Sequence, residues 1–279
     1  MKSWMTLLQK ELLEYRIVIK LPLFLVVFAV VNFAIVLSGD SQVMFSVKSS
    51  GAMIDWGIEA DAFAGLIGKL NELLAGIVSL VLFFIYVPKT MRKEKQEGSL
   101  MFWRSMPVSD TLAVAAKLCF ALVVIPAISS VLLLSADAIV WVLASLFMPQ
   151  DVIASLGISV TGAAMHWIGY VTRLGLMSLA LLPIATLLLA VSQLTRYPLL
   201  TVIMAIVIFK VAMIQATGST ELGSRLSDIY WLPVTVLTSS EPLPAYLMLG
   251  WLNAILLVAS VLMFLASVWL RGRDEMLRM

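Results

Sequence analysis

The chain has 279 residues, of which 61% are hydrophobic and only 13% charged, with a formal net charge of +2 and a mean hydropathy of +1.02. A water-facing domain of this size carries about a quarter charged residues, so an ordinary soluble surface is excluded. Cys119 is the single cysteine and His166 the single histidine, which excludes an intrachain disulfide and a His/Cys metal cluster.

The expected fold class is an all-α integral membrane protein of one domain. Residues 3–16 open the chain with Trp4, Leu8, Leu12 and Tyr15 at helical spacing. This pattern predicts an amphipathic interfacial helix whose apolar face lies in the headgroup boundary. Six stretches then approach the ~20 apolar residues that a bilayer core requires. They lie near 17–37, 70–86, 112–143, 174–191, 199–216 and 246–270. Arg196 and Pro198 separate the fourth from the fifth and make them a tight hairpin. Fourteen of the 19 Lys and Arg residues fall on the side that holds both termini, and five on the other. The positive-inside rule therefore predicts cytoplasmic termini. The first span precedes Ser38-Gly39-Asp40, which offers no clear small-x-small cleavage site.

An external segment, 38–69, follows the first span. A second, 217–244, precedes the last span. It mixes Glu221, Arg225 and Asp228 with Trp231, Leu232, Val234 and Val236. Its apolar run is too short to span, which predicts short helices dipping into the outer leaflet under the shelter of protein.

Residues 88–110 form the most informative loop. Met91 to Glu97 are helix formers and Gly98 is a natural stop, so the second span extends into the cytoplasm and ends there. Leu100-Met101-Phe102-Trp103 follow as an apolar knob, Met106-Pro107 close it, and Ser109 or Asp110 can cap the next helix. An apolar knob on a charged stalk suits a protein partner. It also suits the membrane surface, where Trp is at home.

Glu94, Glu97-Gly98-Ser99-Leu100, Met106-Pro107-Val108-Ser109, Lys117 entering a long helix, and Leu8 to Arg16 at the start together resemble the permease subunits of type-2 ABC exporters. The resemblance implies six spans, an N-terminal elbow helix, and a cytoplasmic coupling helix that docks on a separate nucleotide-binding subunit. It implies Glu94, Glu97 and Gly98 at the stalk turn, and Leu100, Phe102 and Trp103 as contacts with that ATPase. It also implies a second permease copy or sister, residence in a bacterial inner membrane, and ATP with Mg bound by the partner ATPase. No cofactor or metal is expected in the chain itself. Gly65-Leu66-Ile67-Gly68-Lys69 is the string nearest to a phosphate-binding loop. It has the wrong spacing and no hydroxyl residue after the lysine, so the chain is expected to be a transport subunit and not an enzyme. The competing readings are a non-transporting scaffold, sensory or immunity protein, and an ion-driven carrier.

Two charges fall inside predicted spans, Asp137 in the third and Lys210 in the fifth. Such groups are costly and face protein or water. They are expected either to pair with each other across two helices or to face a translocation path. Asn32, Gln215 and Asn253 are expected to hydrogen-bond between helices. Glu72 and Arg173 are expected to reach the membrane interface near span ends.

Overall fold

The computed structural model describes residues 2–37, 63–96, 109–218 and 220–273, whose regular structure is all helical. Helix α1 (Lys2–Glu14) turns at Tyr15 and Arg16 into α2 (Ile17–Leu37). Helix α3 (Leu66–Gln96) follows a tight turn at 63–65, in which Ala64 and Gly65 both take a φ of +53°.

Next comes one continuous rod in three parts: α4 (Asp110–Cys119), a π-helical turn at Phe120–Val124, and α5 (Ile125–Phe147). Ser109 caps α4, its Oγ accepting from Leu112 N at 3.3 Å. This was one of the two caps expected at 109–110. The wide turn has a local reason. Pro126 has no N–H to donate, and just before it Ile125 N–H reaches back five residues to the Phe120 carbonyl.

The short α6 (Gln150–Ser155) leads to α7 (Val160–Leu194), the central helix, which packs against α3, α5, α9 and α11. Thr195, Arg196 and Tyr197 break the chain before α8 (Pro198–Thr217), as the hairpin reading expected. Helix α9 (Glu221–Thr238) then packs beside α7, burying Leu232, Pro233, Val236 and Leu237. Its end meets α3 at Gly76, where an added Cβ would sit 2.3 Å from Leu237 Cδ1. The 217–244 segment is thus largely helical and packed on protein. Helix α10 (Pro242–Leu247) and α11 (Trp251–Arg273) complete the chain.

Among the described residues five helical stretches are long and apolar enough to cross a membrane: 66–93, 110–147, 150–194, 198–216 and 251–273. The first predicted span is also helical, over Ile17–Leu37, and its described side chains form a shorter apolar stretch, Ile17–Asn32. Outward-facing Phe24, Phe28, Ile208, Leu262 and Trp269 are exposed, as lipid-facing side chains are. The main core runs through Leu82, Tyr86, Phe120, Ile125, Tyr170, Met177, Leu188 and Val236.

One face of the bundle carries α1, the end of α3, the start of α4, the α7–α8 turn and the end of α11. Contacts there include Lys93 Nζ to the Glu14 carbonyl (3.0 Å), Arg92 Nη1 to the Thr195 carbonyl (3.1 Å) and Arg271 Nε to Asp110 Oδ1 (2.8 Å). This is called the terminal face below.

Candidate functional site: a buried polar joint at the terminal face

Helix α1 differs from its expected placement in one respect. Leu8, Leu12 and Tyr15 pack on the protein core, while Met5 and Leu13 are the exposed apolar side chains. The reason is Glu11, which lies on the inward side and is 2% exposed. A carboxylate is buried at that depth only with strong partners.

Glu11 has three. Lys117 Nζ lies 2.6 Å from its Oε1, Tyr86 OH donates to Oε2 at 2.7 Å, and Thr90 Oγ1 donates to Oε2 at 3.2 Å. Lys117 also donates to Thr90 Oγ1 at 3.1 Å. Tyr86 and Thr90 are one helical turn apart on α3 and share a face. Lys117 comes from α4, three residues before Phe120 opens the π-turn. Three helices therefore meet on one carboxylate.

Aromatic rings enclose the joint. Tyr15 meets Tyr86 edge-on with centroids 4.7 Å apart, and Tyr86 lies 4.8 Å from Phe120, the first residue of the π-turn. Lys93 Nζ sits 4.7 Å from the centre of the Tyr15 ring. Water is kept out, which strengthens the ion pair and raises the cost of losing either partner.

At the edge of this joint Glu14 pairs with Lys10 at 3.5 Å. Its carboxyl is pushed above the usual range, first by burial, with the charge of Lys10 acting the other way. Arg271 and Asp110 extend the polar seam to α11, and Gln193 joins α7 to Ser267 of α11 at 2.7 Å.

The residues expected to touch an ATPase stand as follows. Glu94 lies in the last turns of α3, and its side chain is outside the described residues. Glu97, Gly98, Leu100, Phe102 and Trp103 also lie outside them. The joint holds both helix ends that bracket this segment.

Asp137 and Lys210 are not brought together. Asp137 Oδ2 lies 2.8 Å from His166 Nδ1, and its other oxygen is buried without a partner. The His166 ring stacks on Phe63 with centroids 5.6 Å apart. Lys210 Nζ instead donates to Ser227 Oγ at 2.6 Å and to Tyr230 OH at 3.1 Å, both on α9. The loop between α8 and α9 is short enough to return α9 alongside α8, so a partner 17 residues away reaches Lys210 first.

Of the remaining polar residues, Asn253 makes the expected bond between helices, while the others differ from expectation. Glu72 and Arg173 do not reach outward. They form an ion pair at 2.8 Å, with Lys69 as a second cation at 3.0 Å from Glu72. Asn32 donates to its own helix at the Phe28 carbonyl, while Asn253 donates to Tyr246 of α10. Gln215 is exposed.

Glu11 and Lys117 fall within the stretches that resemble the permeases, but neither their pairing nor the part of Tyr86 and Thr90 is evident from sequence. A usable signal existed. Glu11 falls between Leu8, Leu12 and Tyr15 on one helical face, where a solvated acid does not belong.

Among the described residues no cluster of three or more His, Cys, Asp or Glu side chains has the arrangement of a metal site. No family model, curated protein or solved structure matches the chain.

Proposed function

We propose that the chain is the membrane-spanning permease subunit of an ATP-driven ABC exporter. It passes the work of a separate ATPase subunit to the transport path and hydrolyses no ATP itself. In this reading α2 is the first of six spans and the terminal face is cytoplasmic. Residues 88–110 form the coupling element, with Glu94, Glu97 and Gly98 at its stalk turn and Leu100, Phe102 and Trp103 as contacts with the ATPase. Two such subunits, identical or sister, would enclose one path in a bacterial inner membrane, and two ATPase subunits would bind below them with ATP and Mg.

The observation that supports this reading most is the Glu11 joint. A partner that moves residues 97–108 pulls on the end of α3 and the start of α4 together. Tyr86 and Thr90 hold the first, Lys117 holds the second, and all three grip Glu11 of α1. The displacement is then delivered to the bundle as one unit, which is the kind of element that switches a packed structure between two states. The charge-poor spans agree with a path for an amphipathic or apolar cargo.

The test is isolation of the full chain from its native membrane under mild detergent, followed by identification of co-purifying subunits. An ABC ATPase is expected, and Trp103→Ala and Glu97→Lys are expected to lower its stimulated ATP hydrolysis or its assembly while leaving insertion intact. If both variants couple as wild type does, residues 97–108 are not the docking element. If no ATPase accompanies the wild-type chain, the exporter reading fails.

A further inference from the structure

Lys210 differs from the other membrane-depth cations of the bundle in its company. Lys117 has Glu11, and Arg173 and Lys69 have Glu72. The hydrogen-bond partners of Lys210 are hydroxyls, Ser227 Oγ and Tyr230 OH, and its ammonium lies 5.2 Å from the centre of the Tyr230 ring. Among the described residues no carboxylate lies within ion-pair distance of it. An ammonium at membrane depth without a counter-charge is costly. It has three N–H donors, two of which these hydroxyls accept.

The surroundings select the class of counter-charge. Val207 and Ile214 share a helical face with Lys210, Val211 lies at the edge of that face, and the three are 49%, 47% and 50% exposed in that order. None of the apolar window of α8 is buried against the protein. Lys210 stands seven residues from the end of α8 that leads to α9, about 10 Å along the helix, and a lysine stem can carry its head toward headgroup level. Gly223 of α9 faces the Lys210 stem, a Cβ there lying at ordinary contact distance, 3.7 Å, from Lys210 Cγ. A cation with two hydroxyls beside an exposed apolar helix face matches an anion attached to hydrocarbon chains.

We propose that the cleft between α8 and α9 binds the phosphate of an anionic phospholipid through Lys210, Ser227 and Tyr230, with the acyl chains along Val207, Val211 and Ile214. The site stands whether or not the chain transports anything.

The experiment uses the full chain in phosphatidylcholine nanodiscs with or without phosphatidylglycerol, and native mass spectrometry of the lipids retained. Wild type is expected to retain phosphatidylglycerol over phosphatidylcholine. Lys210→Met should weaken that preference about tenfold, the difference of one lost charge-assisted contact. Lys210→Arg should keep most of it. Ser227→Ala with Tyr230→Phe tests the site without touching the charge and should weaken it about threefold. Arg225→Gln, on the exposed side of α9, should behave as wild type, and added inorganic phosphate should not displace the lipid. Unchanged phosphatidylglycerol retention by Lys210→Met, or by the hydroxyl double variant where Lys210→Met does not fold, overturns the proposal. Equal loss in Arg225→Gln reduces it to general surface charge and overturns it too. Displacement by phosphate alone would assign the cleft to a free anion and overturn the lipid assignment.

Discussion

Lys117 reaches Glu11 across 2.6 Å and 106 residues of sequence, and both side chains are almost wholly withdrawn from solvent, at 2% and 3% exposure. The pair joins the helix at the start of the chain to the helix that follows residues 97–108. A buried ion pair of this kind adds little net stability compared with a packed apolar pair, but losing one partner strands the other.

The single variants Glu11→Leu and Lys117→Met should therefore each destabilise the folded chain by about 3–5 kcal/mol. The double variant should cost clearly less than their sum. Reversible denaturant titration in mixed micelles checks this. Strictly additive losses would show that the two groups do not act on each other.

Asp137 depends on His166 and not on Lys210. A double-mutant cycle with Asp137→Asn and His166→Phe should give a coupling of about 1 kcal/mol. The cycle of Asp137→Asn with Lys210→Met should be additive to within about 0.5 kcal/mol, because the two share no partner. The same stability assay reads both cycles, and the reverse ordering would contradict the geometry.

Gly76 is fixed by Leu237. A methyl group at Gly76 would stand 2.3 Å from Leu237 Cδ1 and 2.6 Å from Cδ2. Gly76→Ala should cost about 1–3 kcal/mol through overpacking. Adding Leu237→Ala, which removes the clashing atoms, should cost less than the two single losses combined. The melting temperature in detergent is a sufficient measure.

Glu14 gives a pH dependence with a definite sign. Its carboxyl is held above the usual value of 4.5 by burial. The folded chain therefore binds the proton more tightly than the unfolded chain does. Stability from this group is fully present below the unfolded value and is lost as pH rises through the folded one. Glu14→Gln should stabilise the protein relative to wild type near neutral pH, and the gap should narrow as pH falls toward 4.5. A constant gap across that window would place the cause elsewhere.

The helical elements were legible because their signals are local. Pro198 stops one helix and starts the next, Ser109 sits three residues before the amide it caps, and long apolar runs announce themselves by length. The partners were less legible because they are set by packing. Nothing near Asp137 in sequence points to His166 rather than Lys210, since all three lie on separate helices whose rotations decide the match. The Glu11 joint needs three helix rotations to agree at once. One of them is altered by the wide turn at 120–124, for which Pro126 was the only local sign.

That wide turn sets the phase between the two halves of the rod from Asp110 to Phe147. An ordinary α-helix advances about 100° per residue, so losing one residue between Ile125 and Asp137 would swing Asp137 by that angle away from His166 while Lys117 stayed on Glu11. The spacing from 117 to 137 is therefore as much a part of both polar contacts as the side chains that make them.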